Sequence, residues 1–228
     1  MKELNKIFQI GFNKCGTTSF FHLFENFTNP CLKPIHWDDG RLAFKIYNNN
    51  KENIKLLDGY EDYIFFSDME CVIDNNIYEA FRLYKELDKQ YPNSKFILNV
   101  RNQENWVKSR LKHMGGRYKV FYYGVSNFDN LDNYLINHRK YSLFQRVDEI
   151  LNYLINNNIN IPKDEDVANK WRKEWEEHIN EVKEYFKDRP DDLLIYDIEN
   201  DSIDKIKLFF KDYVVFNTNI FPLKNNKI

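Results

Sequence analysis

The sequence predicts a three-layer α/β fold, with a central, mostly parallel sheet flanked by helices. Four short apolar runs, at residues 7–10, 63–66, 96–100 and 193–198, are predicted strands. They are apolar on both faces, which is typical of strands buried in a parallel sheet. Helical patterns separate them, and this alternation favours right-handed crossovers that place helices on both faces of the sheet.

Seven segments between and after these strands have apolar residues at helical spacing. In the sixth, Trp171 and Trp175 share one face and indicate core packing. The polar run at residues 156–162 indicates a loop between helices and not a linker between domains, so we expect a single domain over residues 1–228. The predicted helices span residues 18–27, 42–49, 77–90, 104–113, 132–156, 164–187 and 203–210.

Composition argues against several classes of protein. The 228 residues include 33 basic and 35 acidic ones, a formal charge of −2, so no net field attracts nucleic acid. The three cysteines are odd in number and lack C-x-x-C spacing, which argues against a disulfide framework and a zinc cluster. No run approaches the roughly 20 apolar residues of a membrane helix, and the first predicted strand leaves no room for a signal peptide. We expect a soluble, cytoplasmic protein, and the sequence leaves its oligomeric state open.

The segment between the first strand and the first helix predicts a phosphate-binding loop. Gly11 and Gly16 bound a tight turn, and a helical run opens at Thr17. Strand, glycine turn and helix N-terminus direct backbone N–H groups and the positive end of the helix to one point. In loops that hydrolyse nucleoside triphosphates, a lysine follows the second glycine. Here Thr17 holds that position and Lys14 lies inside the loop, so we expect a phosphate ester to bind and not a triphosphate.

A second polar pair follows the third predicted strand. Arg101 lies at the carboxyl end of that strand, where ligands of such sheets bind, and Ser109 lies two turns into the next helix. The arginine can grip a phosphate through two parallel N–H···O bonds, and the serine hydroxyl can add a donor. The alternative is that Arg101 pairs with a carboxylate of the protein. Asp197 and Glu199 end the last predicted strand, where we expect a structural role.

Together, residues 6–27 and 95–110 resemble the sulfotransferase family, which transfers a sulfuryl group from 3′-phosphoadenosine 5′-phosphosulfate (PAPS). The resemblance implies a P-loop NTPase-like fold, PAPS as co-substrate, adenosine 3′,5′-bisphosphate as product and no required metal. It implies that Arg101 and Ser109 bind the 3′-phosphate and that Lys14 stabilises the leaving phosphate. The residues implied to bind the 5′-phosphosulfate are Lys14, Cys15, Gly16, Thr17, Thr18 and Ser19.

The acceptor needs a general base, and the resemblance implies a histidine or a glutamate. His36 lies shortly after the first predicted helix, and an imidazole is suited to removing a proton at neutral pH. Asp38, Asp68 and Glu70 are the alternatives, and they are also candidates for binding the acceptor. We expect a small-molecule or carbohydrate acceptor, and neither nucleic acid nor a membrane as a partner.

Two other functions are compatible with a phosphate loop. A P-loop nucleotide or small-molecule kinase would use the same loop, but it would have a lysine at position 17. A non-catalytic nucleotide-binding protein of the same fold is the second alternative. The presence of Lys14, Arg101, Ser109 and a nearby base argues against it.

Overall fold

A computed structural model describes residues 3–29, 32–73, 76–113 and 163–222, together with residues 152, 155 and 156. The chain divides into two compact units. The prediction of one domain over the whole chain stays a prediction. The first unit comprises Met1–Cys71, Tyr78–Asn102 and His178–Ile228, and the second comprises Val72–Ile77 and Gln103–Glu177.

The strands that the structure describes are β1 (Ile7–Gln9), β2 (Thr28–Asn29), β3 (Pro34–His36), β4 (Phe65–Ser67), β5 (Glu70–Ile73), β6 (Asn76–Glu79), β7 (Lys95–Val100), β8 (Leu193–Asp197) and β9 (Val215–Phe216). Five of them form one parallel sheet in the order β3-β4-β1-β7-β8. β2 pairs antiparallel with β9, and β5 pairs with β6. All carboxyl ends of the parallel sheet therefore lie at one edge.

The helices in the described part of the chain are α1 (Thr17–Asn26), α2 (Arg41–Lys51), α3 (Tyr84–Gln90), α4 (Gln103–Leu111), α5 (Asp164–Tyr185) and α6 (Ile203–Phe210). None of them is both long and apolar enough to pass through a bilayer. Short 3₁₀ turns lie at Asp38–Gly40, Ala80–Leu83 and Pro190–Asp192.

Successive side chains of β1 point to opposite faces of the sheet, so the core of the first unit has two layers. Ile7 faces a fully buried cluster that includes Phe24 of α1 and Phe210 of α6, and Phe24 stacks on Phe65 with ring centroids 4.3 Å apart. Phe8 faces the opposite side, where its ring lies 5.4 Å from that of Phe96. On that side Phe96 contacts Phe186, just beyond α5. Helices thus cover both faces, and the predicted three-layer fold is confirmed.

The second unit contains an aromatic core of its own. Trp106 of α4 is fully buried, and its ring centroid lies 6.3 Å from that of Trp171 and 4.6 Å from that of Trp175. The guanidinium of Arg110 lies over the rings of Trp106 and Trp171 at 5.1 and 4.9 Å. The two tryptophans of α5 therefore pack a core, as their spacing predicted.

Most predicted elements are present, with ends displaced by a few residues. The four predicted strands correspond to β1, β4, β7 and β8. β3 was missed because three residues beginning with a proline carry no periodicity. The helix predicted at 77–90 is wrong in its first half, which forms β6 and a 3₁₀ turn, since short apolar runs are ambiguous between strand and helix. The helix predicted at 132–156 and the loop at 156–162 lie outside the described residues, apart from 152, 155 and 156.

The end of β1 is anchored by a histidine that the sequence patterns did not single out. His178 of α5 is 1% exposed, and its Nε2 lies 2.7 Å from the carbonyl oxygen of Ile10. Because a carbonyl only accepts, Nε2 must carry the proton. The rings of Phe12 and Phe81 meet the imidazole edge-on at 5.2 and 5.1 Å. Burial lowers the pKa of His178 to about 4, so it is neutral in the folded protein at neutral pH.

We expect the stability of the protein to fall as the pH drops below 6.5, the ordinary pKa of a histidine. Between about pH 6.5 and 4 the unfolded chain binds a proton at His178 and the folded chain does not. Each such histidine contributes roughly 1.4 kcal/mol per pH unit to the slope of the unfolding free energy. Urea denaturation at several pH values measures that slope. His178→Gln keeps a donor for Ile10 but does not titrate, so its slope should be shallower; equal slopes would contradict the assignment.

Candidate active site

The loop after β1 presents an uncapped helix end to the carboxyl edge of the sheet. Lys14 and Gly16 have φ values of 62° and 78°, which turn the chain sharply into α1. Gly16 is the N-cap, and α1 has neither a side-chain cap nor an acidic residue in its first turn. By contrast, the side chain of Ser202 caps α6 and accepts from the backbone of Asp204. The first N–H groups of α1 can therefore meet an anion.

Asn99 holds the loop from beneath. Its fully buried side chain, on β7, accepts from the backbone N–H of Gly11 at 3.0 Å. Its Nδ2 donates to the carbonyl oxygens of Phe12 and Cys15 at 3.2 and 2.9 Å. The approach is so close that a Cβ on Gly11 would lie 2.3 Å from the carbonyl oxygen of Asn99. Glycine is therefore required at position 11.

Arg101 holds the loop from the side. Its Nη1 donates to the carbonyl oxygen of Lys14 at 3.1 Å, which supports the left-handed conformation of that residue. Its Nε donates to the carboxylate of Glu199 at 3.0 Å, and the backbone N–H of Asn102 donates to the other carboxylate oxygen at 3.0 Å. The structure thus gives Arg101 the protein carboxylate that the sequence left open as an alternative to phosphate. The two are compatible, because a guanidinium carries five N–H donors.

The remaining loop residues divide into buried and accessible ones. Cys15, Thr17 and Ser19 are buried, and the thiol of Cys15 forms no disulfide. Lys14 and Thr18 are half-buried. Within the described residues the Lys14 ammonium has neither a hydrogen bond nor an ion pair, which leaves it available to an anion.

His36 lies beside the first turn of α1. It ends β3, in register with Ser67 of β4, and its Nδ1 lies 2.9 Å from Ser67 Oγ. Its Nε2 lies 3.5 Å from Thr18 Oγ1 and 3.7 Å from Asp68 Oδ2. Burial, and secondarily the nearby His22, lower the pKa of His36 to about 4. The imidazole is therefore neutral at neutral pH and has a lone pair with which to accept a proton.

The turn that follows His36 is strained and firmly anchored. Trp37, Asp38 and Asp39 all have positive φ, between 49° and 57°, which is rare for residues other than glycine. The carboxylate of Asp38 accepts from Tyr60 Oη at 2.7 Å and from Arg41 Nη2 at 2.8 Å. Both oxygens of Asp38 are thus engaged in holding the turn, whereas the Trp37 side chain is 41% exposed.

Asp68 and Glu70 lie at the same edge but in different surroundings. Asp68 has a φ of 53° and lies next to His36. Glu70 is 4% exposed and accepts from Asn13 Nδ2 of the phosphate loop at 3.2 Å. Glu70 therefore supports the phosphate loop, and Asp68 is the carboxylate that lies next to the imidazole of His36.

Every predicted site residue except Ser109 lies in the first unit. That serine is half-buried on α4, in the second unit. Sequence patterns missed three residues that the structure adds to the site: Ser67, Asn99 and His178. Glu199 was expected to have a structural role, and it accepts from Arg101. A polar residue inside the apolar strand at 95–100 was the available signal for Asn99. His178 carried none, because 168 residues separate it from Ile10.

Two comparisons with known proteins bear on this site. A family model described as a sulfotransferase domain matches residues 6–206. A search of curated proteins finds no match to the chain.

We expect Asn99→Ala to lower both stability and ligand affinity. Losing this side chain removes three buried hydrogen bonds, one from the N–H of Gly11 and two to the carbonyl groups of Phe12 and Cys15, and a buried polar group that is left unsatisfied costs roughly 1–3 kcal/mol. The loop also loses its shape, so the affinity for adenosine 3′,5′-bisphosphate, the ligand implied by the resemblance, should fall roughly tenfold or more. Denaturation and calorimetric titration measure the two effects.

Asn49→Ala is the matched control. Asn49 is also buried, and its Nδ2 donates to the carbonyl oxygens of Lys55 and Leu56 at 3.2 and 3.0 Å, but these lie away from the loop. This variant should lose stability and keep its affinity. Equal affinity losses in the two variants would show that Asn99 acts only on stability.

Proposed function

The chain belongs to the sulfotransferase family, and we propose that it transfers a sulfuryl group from PAPS to a hydroxyl or amine of a small-molecule or carbohydrate acceptor. One observation carries this proposal: His36 Nε2 lies 3.5 Å from Thr18 Oγ1, in the first turn of α1. A neutral base thus lies beside the turn that is built to bind a phosphate. The substrate hydroxyl or amine that attacks the sulfuryl group there would have a base, His36, within reach of its proton.

The loop is proposed to bind the 5′-phosphosulfate. The backbone N–H groups of the turn from Gly16 to Ser19 and the hydroxyl of Thr18 would donate to its oxygens, and the positive end of α1 favours its charge. The ammonium of Lys14 would stabilise the negative charge that develops on the leaving phosphate. Support comes from the uncapped N-terminus of α1 and from a lysine that has no partner among the described residues.

The reaction is an in-line displacement at sulfur. A lone pair of the acceptor oxygen or nitrogen forms the new bond to sulfur, and the bond from sulfur to the bridging oxygen breaks. The leaving electron pair stays on the 5′-phosphate of adenosine 3′,5′-bisphosphate, and the acceptor proton passes to His36. Its pKa of about 4 makes His36 a weak base, but attack on sulfur acidifies the acceptor proton. The carboxylate of Asp68, 3.7 Å away, would then stabilise the imidazolium.

Arg101 and Ser109 are proposed to bind the 3′-phosphate. The support is their spacing along the sequence, together with a guanidinium that lies at the carboxyl end of β7 and touches the loop. Arg101 also donates to the carbonyl oxygen of Lys14. Binding of the 3′-phosphate by Arg101 would therefore be coupled to the shape of the phosphate loop.

We expect Lys14→Ala to abolish transfer while the fold survives. The side chain has no partner among the described residues, so its loss should leave the unfolding midpoint unchanged. Transfer of radiolabelled sulfuryl to a panel of phenols, sugars and amines should fall by roughly 100-fold or more. Lys51→Ala, at an exposed lysine at the end of α2, is the control and should retain the activity.

A calorimetric titration checks the nucleotide separately. Adenosine 3′,5′-bisphosphate should bind at least roughly tenfold more tightly than AMP, which lacks the 3′-phosphate. Equal affinities for the two would remove Arg101 and Ser109 from the proposed site. Hydrolysis of ATP that depends on magnesium would favour a kinase instead.

We expect His36→Ala to reduce turnover by roughly 100-fold, the usual contribution of a general base, with unchanged affinity for adenosine 3′,5′-bisphosphate. The assay uses the best acceptor found in the panel. Lys51→Ala is again the control, because Lys51 is exposed at the end of α2. Full turnover in the His36 variant would move the base to Asp38, Asp68 or Glu70.

A further inference from the structure

We propose that Ser67 is a positioning residue that fixes His36 in the tautomer protonated at Nδ1, so that the Nε2 lone pair faces the first turn of α1. The inference concerns the resting imidazole, and its catalytic meaning rests on the proposed function. His36 and Ser67 are directly paired across two neighbouring parallel strands. The register places the two side chains next to each other, and Nδ1 lies 2.9 Å from Oγ.

The environment of Ser67 limits what its hydroxyl can do. The residue is fully buried, so water does not compete for its single proton. Among the residues that the structure describes, two acceptors are within reach of that proton: the carbonyl oxygen of Ile35, at 3.4 Å, and Nδ1 of His36 itself. If the hydroxyl donates to the Ile35 carbonyl, it can accept a hydrogen bond from Nδ1 only when Nδ1 carries a proton. The direction of the bond between Ser67 and His36 therefore corresponds to the tautomer of His36.

Protonation at Nδ1 satisfies both contacts of Ser67. Nδ1–H donates to Ser67 Oγ at 2.9 Å, and Ser67 O–H donates to the Ile35 carbonyl at 3.4 Å. In the other tautomer Ser67 must turn toward Nδ1, and its contact with Ile35 is lost. The contacts of Nε2, to Thr18 Oγ1 at 3.5 Å and Asp68 Oδ2 at 3.7 Å, are long in either tautomer and do not decide between them.

The charged and titratable groups near His36 act on this balance in different directions. Asp68 attracts a proton to Nε2, but it lies beyond hydrogen-bond length in the resting protein. His22 disfavours a second proton on the ring, and Phe21 covers the ring at a centroid distance of 5.4 Å. Of the contacts that described residues make with the ring nitrogens, the one to Ser67 has an ordinary hydrogen-bond length. Once the ring accepts a proton at Nε2, Ser67 and Asp68 face its two N–H groups.

Nitrogen-15 NMR of the full chain, labelled at histidine, tests the proposal without any substrate. The chain has five histidines, and loss of signals in His36→Ala assigns those of His36. At neutral pH we expect a protonated, pyrrole-type Nδ1 and an unprotonated, pyridine-type Nε2. A protonated Nε2 in the unmodified protein overturns the proposal.

Two variants distinguish a positioning role of Ser67 from a purely structural role. Ser67→Ala should convert His36 to a mixture of tautomers and lower turnover roughly tenfold, the effect of losing about one hydrogen bond. Ser94→Ala also removes a buried hydroxyl that donates to a backbone carbonyl, that of Tyr91 at 2.6 Å, but at the opposite end of the sheet. It should leave the tautomer unchanged. An unchanged tautomer in Ser67→Ala overturns the proposal.

The outcomes also separate this inference from the proposed function. A protonated Nδ1 that depends on Ser67, combined with full turnover in His36→Ala, would keep the positioning and reject His36 as the base. A protonated Nε2, combined with lost turnover in His36→Ala, would keep the base and reject the role of Ser67.

Discussion

A loop that binds phosphate with its backbone must turn N–H groups outward, and the polar groups that turn inward then need partners inside the protein. Asn99 supplies them here. One buried carboxamide accepts from Gly11 and donates to Phe12 and Cys15, so both ends of the loop are held by a single side chain. The outward face of the loop is left for a ligand because the inward face is already satisfied. Removing the Asn99 side chain would take away three of the hydrogen bonds that hold the loop in this shape.

The other supports of the loop come from distant parts of the chain and act at different points. His178 holds the carbonyl of Ile10 at the end of β1, and Arg101 holds that of Lys14 at the tip. Glu199, beyond β8, in turn orients Arg101. A parallel sheet makes this possible, because it gathers the carboxyl ends of strands that lie far apart in sequence. In the proposed site, recognition of the 3′-phosphate and support of the loop share Arg101.

Local pattern predicted a strand, a glycine turn and a helix around Gly11, Lys14 and Gly16, and the structure confirms these elements. Phosphate binding by this loop stays a prediction, as does His36 as the base, which was inferred from its residue type and from the resemblance. The partners of those residues could not be predicted in the same way. That Ser67 faces His36 depends on the register of β3, a three-residue strand without periodicity. The role of His178 depends on how α5 packs on β1, and no residue near His178 in the sequence indicates its contact with Ile10. Ser109 was predicted from spacing, and its site remains a prediction.

The turn after β3 has a consequence for the acceptor side. Trp37 has φ and ψ of 57° and −44°, a conformation that costs a bulky residue about 1–3 kcal/mol. A glycine would adopt it freely, so the chain gives up folding free energy to hold an indole next to His36. Trp37 is 41% exposed, so this strained residue keeps apolar surface open to solvent directly after His36. Folding stability and the exposure of an indole next to the proposed base are therefore set against each other at this one residue.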